Sequence, residues 1–302
     1  IEIIRPENDS IEIRPPTLEC NDIRMNFVEA KNLSNGQVTE SSRLRTNERN
    51  DTESQKIGYI YQHTPIELFI AHGLTPVLLS ASSRVSGGFE SSLQTFACAY
   101  SRNVFSQRAN GQLNDFRGIV FPGNTCDSLQ NVGDVWKHRF PEDIVFRLTY
   151  PAGEVTDAAI KFFAEELRLL NKGLSRRFGA TVENESISHA IDFVNEWRIA
   201  MQLLYSIRLL HPASISYIEL GKMLKTFFTN PTQDEATRVS SHAKEIASKL
   251  KEKGLMLHLN DTHMGLLNGS FKEDVEFQFE DSPPRIIIAG GMIEPLNIAS
   301  LF

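Results

Sequence analysis

The sequence predicts an α/β protein whose first domain is a doubly wound parallel sheet. Short β-rich runs alternate with helical stretches between residues 56 and 151, in the order β-α-β-α-β-α-β. Such alternation is typical of parallel sheets with helices on both faces. After a long helical stretch, the run RIIIAGG at residues 285 to 291 returns to strand character. We therefore expect a helical segment and then the first strand of a second α/β domain.

The first strand–helix–strand unit carries clear boundary signals. KIGYIYQ at residues 56 to 62 predicts a strand, and a helix follows it. Thr64 is the expected N-cap, Pro65 suits the first helical position, and Glu67 completes a capping-box pattern. Gly73 ends this helix before the next strand, TPVLLSA.

The remaining elements of this domain follow in the same alternation. A helix is predicted over residues 92 to 111, and GIVF at 118 to 121 is a third strand. A third helix opens just after Cys126, and DIVFRLTYP at 143 to 151 is the fourth strand. The strand ends therefore fall in short polar loops, where sites of open α/β sheets form.

The domain boundaries follow from these patterns. Residues 1 to 55 are polar and predict a partly disordered extension, 56 to 151 form the Rossmann-like domain, and 152 to 280 form a helical connecting segment. Residues 281 to 302 begin the second α/β domain. A lone terminal strand has nothing to pair with, so we expect more sequence beyond Phe302. One face of the first connecting helix is apolar, at Ile160, Phe163, Leu167, Leu170, Leu174 and Phe178.

Composition excludes several classes of protein. The net charge is −7 with no long basic run, which argues against a nucleic-acid partner. No stretch approaches the length of a membrane span. The chain has three cysteines, an odd and sparse set that predicts a reducing cytoplasm rather than a disulfide framework.

Two of these cysteines are candidate site residues. Cys126 follows the third strand and precedes a helix, whose N-terminal N–H groups favour a thiolate or an anionic metal cluster. Cys98 lies 28 residues earlier, inside the predicted helix of residues 92 to 111. No C-x-x-C spacing is present, so there is no local zinc or ferredoxin motif. Taken alone, either cysteine is more often a small buried apolar residue, and the strand-end position favours function at Cys126.

Other polar clusters give weaker signals. His258, Asp261 and His263 are compatible with a divalent metal, but a polar loop is the preferred interpretation because no helix holds them on one face. Glu165 and Glu166 are adjacent on a helix and diverge, so they do not form a catalytic pair. Dinucleotide, NTPase and serine-hydrolase motifs are missing from the sequence. The catalytic acid or base stays unassigned.

Four motifs occur in a characteristic order: GYIYQHTPIELFIAHGLTPVLL, CAYSR, GIVFPGNTCDSLQNVGDVW and AAIKFFAEELRLLNKGLSRRFG. Together they resemble the family of 2-hydroxyacyl-CoA dehydratase and benzoyl-CoA reductase subunits, over about residues 56 to 291. The resemblance implies two doubly wound domains and one 4Fe-4S cluster held by three cysteines, with one iron open to substrate. Two ligands map onto Cys98 and Cys126, and the third is expected beyond Phe302.

The resemblance also implies partners and chemistry. Members of the family pair with a second homologous subunit, and an ATP-hydrolysing iron–sulfur activator supplies single low-potential electrons. The expected protein is therefore an iron–sulfur subunit of an oxygen-sensitive acyl-CoA reductase or 2-hydroxyacyl-CoA dehydratase, acting on a CoA thioester. We expect the 302-residue chain alone neither to hold iron stably nor to be active.

The sequence departs from the dehydratase pattern at two positions. A serine and a glutamate are expected where Gln62 and, approximately, Ser80 stand, which favours a benzoyl-CoA-reductase-like or electron-relay subunit. Asp127 is expected to cap its own helix, and Arg102 faces the cluster, an acidic partner or solvent. Two alternatives stay open: a cluster-less binding or assembly partner of the same family, and a cluster protein that reduces other small molecules.

Overall fold

The structure, a computed structural model, describes residues 55 to 255 except 62, 86 and 180. These residues belong to one compact unit. The predicted extension up to residue 54, the HLNDTHMG segment and the start of the second domain lie outside the described residues. The predicted domain boundaries stay a prediction.

Four parallel strands form the sheet, in the order β2-β1-β3-β4. Gly58 of the central strand is aligned with Val77 on one side and Ile119 on the other. The predicted doubly wound α/β fold is confirmed. The strands are β1 (Lys56–Tyr59), β2 (Thr75–Leu78), β3 (Gly118–Pro122) and β4 (Val145–Leu148).

Seven α-helices connect and follow these strands within the described residues. None of them combines the length and the apolar character that a membrane-spanning helix requires. Hydroxyl side chains cap three of the helices after β4, at Thr156, Ser216 and Thr232, and Ser216 also forms a full capping box with Glu219. The helices are α1 (Ile66–Ala71), α2 (Ala99–Ala109), α3 (Asp127–Arg139), α4 (Asp157–Phe178), α5 (Asn184–Leu210), α6 (Tyr217–Thr229) and α7 (Gln233–Glu252).

Two hydrophobic cores lie on opposite faces of the sheet. Successive side chains of a strand point to opposite faces, so Ile119 and Phe121 pack against α2 and α3, whereas Val120 packs into the other core. That second core also contains α1 and α4 to α7, with Trp197 stacked on Phe227 at 4.1 Å between ring centroids. The helices after β4 therefore cover the sheet directly and share its core.

The predicted cap of α1 is wrong. The Thr64 hydroxyl donates to the carbonyl of Tyr61 (2.6 Å), so Pro65 is the N-cap and no side chain closes the helix start. Glu67 instead forms an ion pair with Arg198 of α5 (2.5 Å). A long-range charge partner has displaced the local capping box.

The helix predicted over residues 92 to 111 begins seven residues late, at Ala99. Leu93 is buried, but Phe96 is 83% exposed, so these first residues lack a continuous apolar face to dock on the sheet. They form turns instead. Cys98 consequently stands at the start of α2 rather than inside a helix.

Candidate functional site

The strand order places a crevice at the carboxyl edge of the sheet. β1 leads to β2 on one side, whereas β3 leads to β4 on the other, so the switch point lies between β1 and β3. Ligands of open α/β sheets bind outside the strand ends at this point. The loop after β3 carries Cys126, and the helix that follows β2 begins next to Cys98.

The loop between β3 and Cys126 is fixed by contacts with the end of β4. The Asn124 amide donates to the carbonyl of Tyr150 (2.5 Å) and accepts from its N–H (2.9 Å), which extends the strand pairing. A Cβ on Gly123 would lie 2.6 Å from the hydroxyl oxygen of Thr149, so only glycine allows this approach. The position of Cys126 therefore depends on the close contact of two strand ends.

Cys126 is the N-cap of α3, in an extended conformation, and its thiol is free and exposed. No side chain closes the start of this helix with a hydrogen bond. The prediction that Asp127 caps its own helix is wrong, because Asp127 is the first helical residue and the cysteine holds the cap position. The carboxylate of Asp127 still lies at the favourable, positive end of the helix dipole.

Cys98 is the N-cap of α2, and its thiol is also free and exposed. Its sulfur accepts a hydrogen bond from the backbone N–H of Ser101 (3.3 Å) and lies 2.9 Å from the Ser101 hydroxyl. Ser101 is only 1% exposed. Cys98 therefore fills the role that serine or aspartate usually has at a helix start.

A direct contact joins the two cysteine segments. The backbone N–H of Cys98 donates to the hydroxyl of Ser128, two residues after Cys126 in the first turn of α3 (3.3 Å). The Tyr100 hydroxyl lies within hydrogen-bond distance of the carbonyls that follow β1 and β2, at Ile60 and Leu79. Both thiols thus lie at the same edge of the sheet, at the starts of two helices in contact.

The far ends of the same two helices are also joined. Asp143, just before β4, accepts two hydrogen bonds from Arg108 of α2 (2.9 and 3.0 Å) and one from the indole of Trp136 of α3 (2.7 Å). The hydrogen bond from Arg108 to Asp143 raises the pKa of the guanidinium. We call this group, Arg108 with Asp143 and Trp136, the Asp143 clamp. It fixes α2 relative to α3 from the end opposite the cysteines.

Other predicted residues have structural partners. The Arg102 guanidinium lies over the ring of Phe89, 5.2 Å from its centroid. The carbonyl of Ser80 accepts from the side chain of Gln107 (2.7 Å), and Gln62 lies outside the described residues.

The two adjacent glutamates of α4 diverge, as predicted. Glu165 pairs with Arg168, whereas Glu166 accepts from the backbone N–H of Thr149 (3.1 Å). These contacts leave them without a shared role as acid and base.

Two aromatic side chains meet just beyond the ends of β1 and β4. The rings of Tyr61 and Tyr150 meet edge to face at 4.9 Å, and the Tyr150 hydroxyl lies 3.1 Å from that of Thr64. Burial raises the pKa of Tyr150 to about 12, so this phenol stays protonated at neutral pH. An open cleft of about 510 Å³ adjoins it, with Asn124 and Phe162 among its lining residues.

The donor set suits part of a soft-metal site. Thiolates are the ligands of iron–sulfur clusters, and two stand here on one edge. The Thr125 hydroxyl, beside Cys126, is buried and has no partner among the described residues. In that same part of the chain no group of three His, Cys, Asp or Glu residues gathers around one point. In chemical type, the thiols of Cys98 and Cys126 are suited to two ligand positions of an iron–sulfur cluster.

Two residues of this site were not predicted. Ser101 stands three positions after Cys98, the spacing between an N-cap and the third residue of a helix. This contact could therefore have been predicted from the sequence. Ser128 contacts a residue 30 positions away, and no local pattern indicates that contact.

Fold and site together define a class: doubly wound α/β proteins with free thiols on separate loops at the carboxyl edge of the sheet. The chain belongs to the 2-hydroxyglutaryl-CoA dehydratase, D-component family, whose model matches residues 62 to 302. The resemblance found in the sequence is thereby confirmed.

Two curated relatives show the same kinship. The chain is 22% identical over 226 residues to a benzoyl-CoA reductase subunit of Thauera aromatica, covering 74% of this chain and 56% of the relative. It is also 22% identical over 195 residues to the (R)-phenyllactyl-CoA dehydratase beta subunit of Clostridium sporogenes, covering 65% and 52%. The chain spans about half the length of these relatives.

Proposed function

We propose that this chain is part of an iron–sulfur subunit of an oxygen-sensitive acyl-CoA reductase or 2-hydroxyacyl-CoA dehydratase. The observation that carries the proposal is the pairing of two exposed cysteine N-caps, Cys98 and Cys126, through the hydroxyl of Ser128. The names of the two relatives, a reductase subunit and a dehydratase subunit, support the class of enzyme.

Cys98 and Cys126 would hold a 4Fe-4S cluster together with a third cysteine beyond Phe302. Such a cluster supplies single electrons at low potential for the reduction of a CoA thioester. The protein orients both thiols at helix starts, where unpaired N–H groups favour negative charge. Tyr61 and Tyr150 pack edge to face beside the strand ends.

The proposal includes partners of defined chemistry. These are a second homologous subunit, an ATP-hydrolysing iron–sulfur activator that delivers the electron, and an acyl-CoA substrate. Nucleic acid and membrane have no place in it, and a cytoplasmic location remains the prediction from the sparse cysteines.

Iron content of the complete subunit, purified without oxygen together with its partner, tests the proposal. We expect about four irons per chain in the wild type. Cys98→Ala and Cys126→Ala should each lose most of this iron, because each removes one of three ligands. Cys20→Ala is the matched control and should retain it, because Cys20, the third cysteine of the chain, falls in the polar stretch of residues 1 to 55.

Two results would overturn the proposal. One is a reconstituted wild-type protein without iron, which would favour the cluster-less alternative. The other is full iron retention in both the Cys98→Ala and Cys126→Ala variants. Reduction of other small molecules but no CoA thioester, with the activator present, would instead favour the second alternative, a cluster protein that reduces other small molecules.

A further inference from the structure

The two cysteines at the sheet edge have unequal surroundings. Ser101 provides two groups within hydrogen-bond distance of the Cys98 sulfur, a backbone N–H at 3.3 Å and a hydroxyl at 2.9 Å. At Cys126, which holds the same N-cap position in α3, no side-chain hydrogen bond closes the helix start. The residue three positions further on is serine in α2 and leucine (Leu129) in α3, so α3 lacks the hydroxyl, and in the described part of the chain the Cys126 sulfur also accepts no cap bond from the backbone.

The hydroxyl of Ser101 is well placed to act as a donor. The side chain is 1% exposed, so its hydroxyl needs a partner inside the protein. Within the described residues, the Cys98 sulfur is the partner that the structure gives it. A deprotonated sulfur has no hydrogen to donate, so in a metal-bound state the hydrogen bond must run from Ser101 to Cys98.

We infer that Ser101 is a positioning residue that makes reduction at this site easier by donating its hydroxyl hydrogen bond to the Cys98 sulfur. The inference rests on the proposed function. A reduced cluster carries one more negative charge, and a donor aimed at a ligand sulfur stabilises that charge. Ser101 is not itself a ligand, and it acts through Cys98. The leucine at the equivalent position of α3 has no hydroxyl to donate, so the effect is specific to one of the two helices.

A redox titration followed by electron paramagnetic resonance tests this inference in the complete anaerobic subunit with its partner. Ser101→Ala should keep the wild-type iron content but shift the reduction equilibrium about tenfold toward the oxidised state, which is about 59 mV for a one-electron couple. Ser106→Ala is the matched control, since Ser106 lies in the same helix and is 2% exposed. Its potential should equal that of the wild type.

A second pair of variants separates the hydrogen bond from packing. Ser101→Thr keeps a hydroxyl, whereas Ser101→Val has almost the same shape as the threonine variant without one. We expect the potential of the Thr variant to match the wild type and that of the Val variant to match Ser101→Ala. If the Ser101→Ala variant loses iron, the Thr and Val variants still test whether the hydroxyl affects the reduction potential.

Three other outcomes of these experiments would each overturn a specific claim. An unchanged potential in an iron-loaded Ser101→Ala or Ser101→Val protein would overturn the role of Ser101 and leave the proposed function intact. Loss of iron in every Ser101 variant, but not in Ser106→Ala, would assign Ser101 to assembly of the site instead. A wild-type subunit without iron would overturn the proposed function and this inference together.

Discussion

Replacing Asp143 by alanine should cost more stability than replacing any single surface carboxylate, because Asp143 joins two helices and a strand. Its side chain is 18% exposed and accepts from Arg108, which is 15% exposed, and from Trp136, which is fully buried. Removal leaves an indole N–H without a partner and takes two charged hydrogen bonds from the guanidinium.

The magnitude follows from these contacts. Charge-assisted bonds from Arg108 contribute about 1.5–3 kcal/mol, and a buried donor left unsatisfied costs about 1–3 kcal/mol. Arg108 keeps a second carboxylate, Glu142 at 2.6 Å, and the side chain of Asn114 at 3.0 Å. We therefore expect a loss of about 3 kcal/mol, at the lower end of the range for breaking a buried ion pair.

Urea unfolding of wild type and variant, followed by circular dichroism, measures this loss. Asp134→Ala is the matched control, because Asp134 is 63% exposed and pairs with Arg147. An exposed ion pair contributes about 0–1 kcal/mol, so the control should unfold near the wild-type midpoint. In a Trp136→Phe background the cost of Asp143→Ala should fall by about 1–2 kcal/mol, because the orphaned donor is already gone.

Equal midpoints for Asp143→Ala and Asp134→Ala would refute this account of the clamp. So would an unchanged cost of Asp143→Ala in the Trp136→Phe background, since it would show that the indole bond contributes nothing.

Three further changes give distinct expected results. Burial lowers the pKa of His72, so the contribution of this residue to the free energy of unfolding should be complete above the ordinary histidine pKa of about 6.5 and should fall as the pH drops below it. Free energies of unfolding measured between about pH 5 and 8 should show this dependence, and the His72→Gln variant should lack it. In Gly133→Ala the new Cβ would lie 3.0 Å from the ring of Phe121, and overpacking by about 1–3 kcal/mol outweighs the gain in helix propensity, so the urea midpoint should fall. Gly123→Ala should displace the loop before Cys126 and lower the iron content of the complete subunit, whereas wild-type iron content would contradict the role given to this close approach.

Much of the fold was predictable because its signals are local. Buried parallel strands need short apolar runs, and GIVF provides one that the structure places fully inside, in Gly118–Pro122. The position of Cys126 at a strand end and helix start follows from the same signals. These features depend on neighbours in sequence, so a single sequence contains them.

The errors concern helix starts, and they have different causes. The capping box at Thr64 was locally sound, but Arg198, more than a hundred positions later, takes Glu67 as its partner. The late start of α2 has a local cause instead: Cys98 caps the helix through its bond with Ser101, and the mostly exposed segment before it has no continuous apolar face. A tertiary contact overrode the local preference only at Thr64.

Hydrogen bonds within the polypeptide hold both cysteine segments in place, and this lowers the entropy cost of binding a ligand at the two thiols. Ordering a residue's backbone costs about 1–2 kcal/mol of conformational entropy. Both cysteine segments are already ordered in the folded protein, by the hydrogen bonds between Asn124 and Tyr150 and by the bond from Cys98 to Ser128. Most of this loss of conformational entropy therefore occurs on folding. The cluster we propose would therefore need little further ordering of the Cys98 and Cys126 segments.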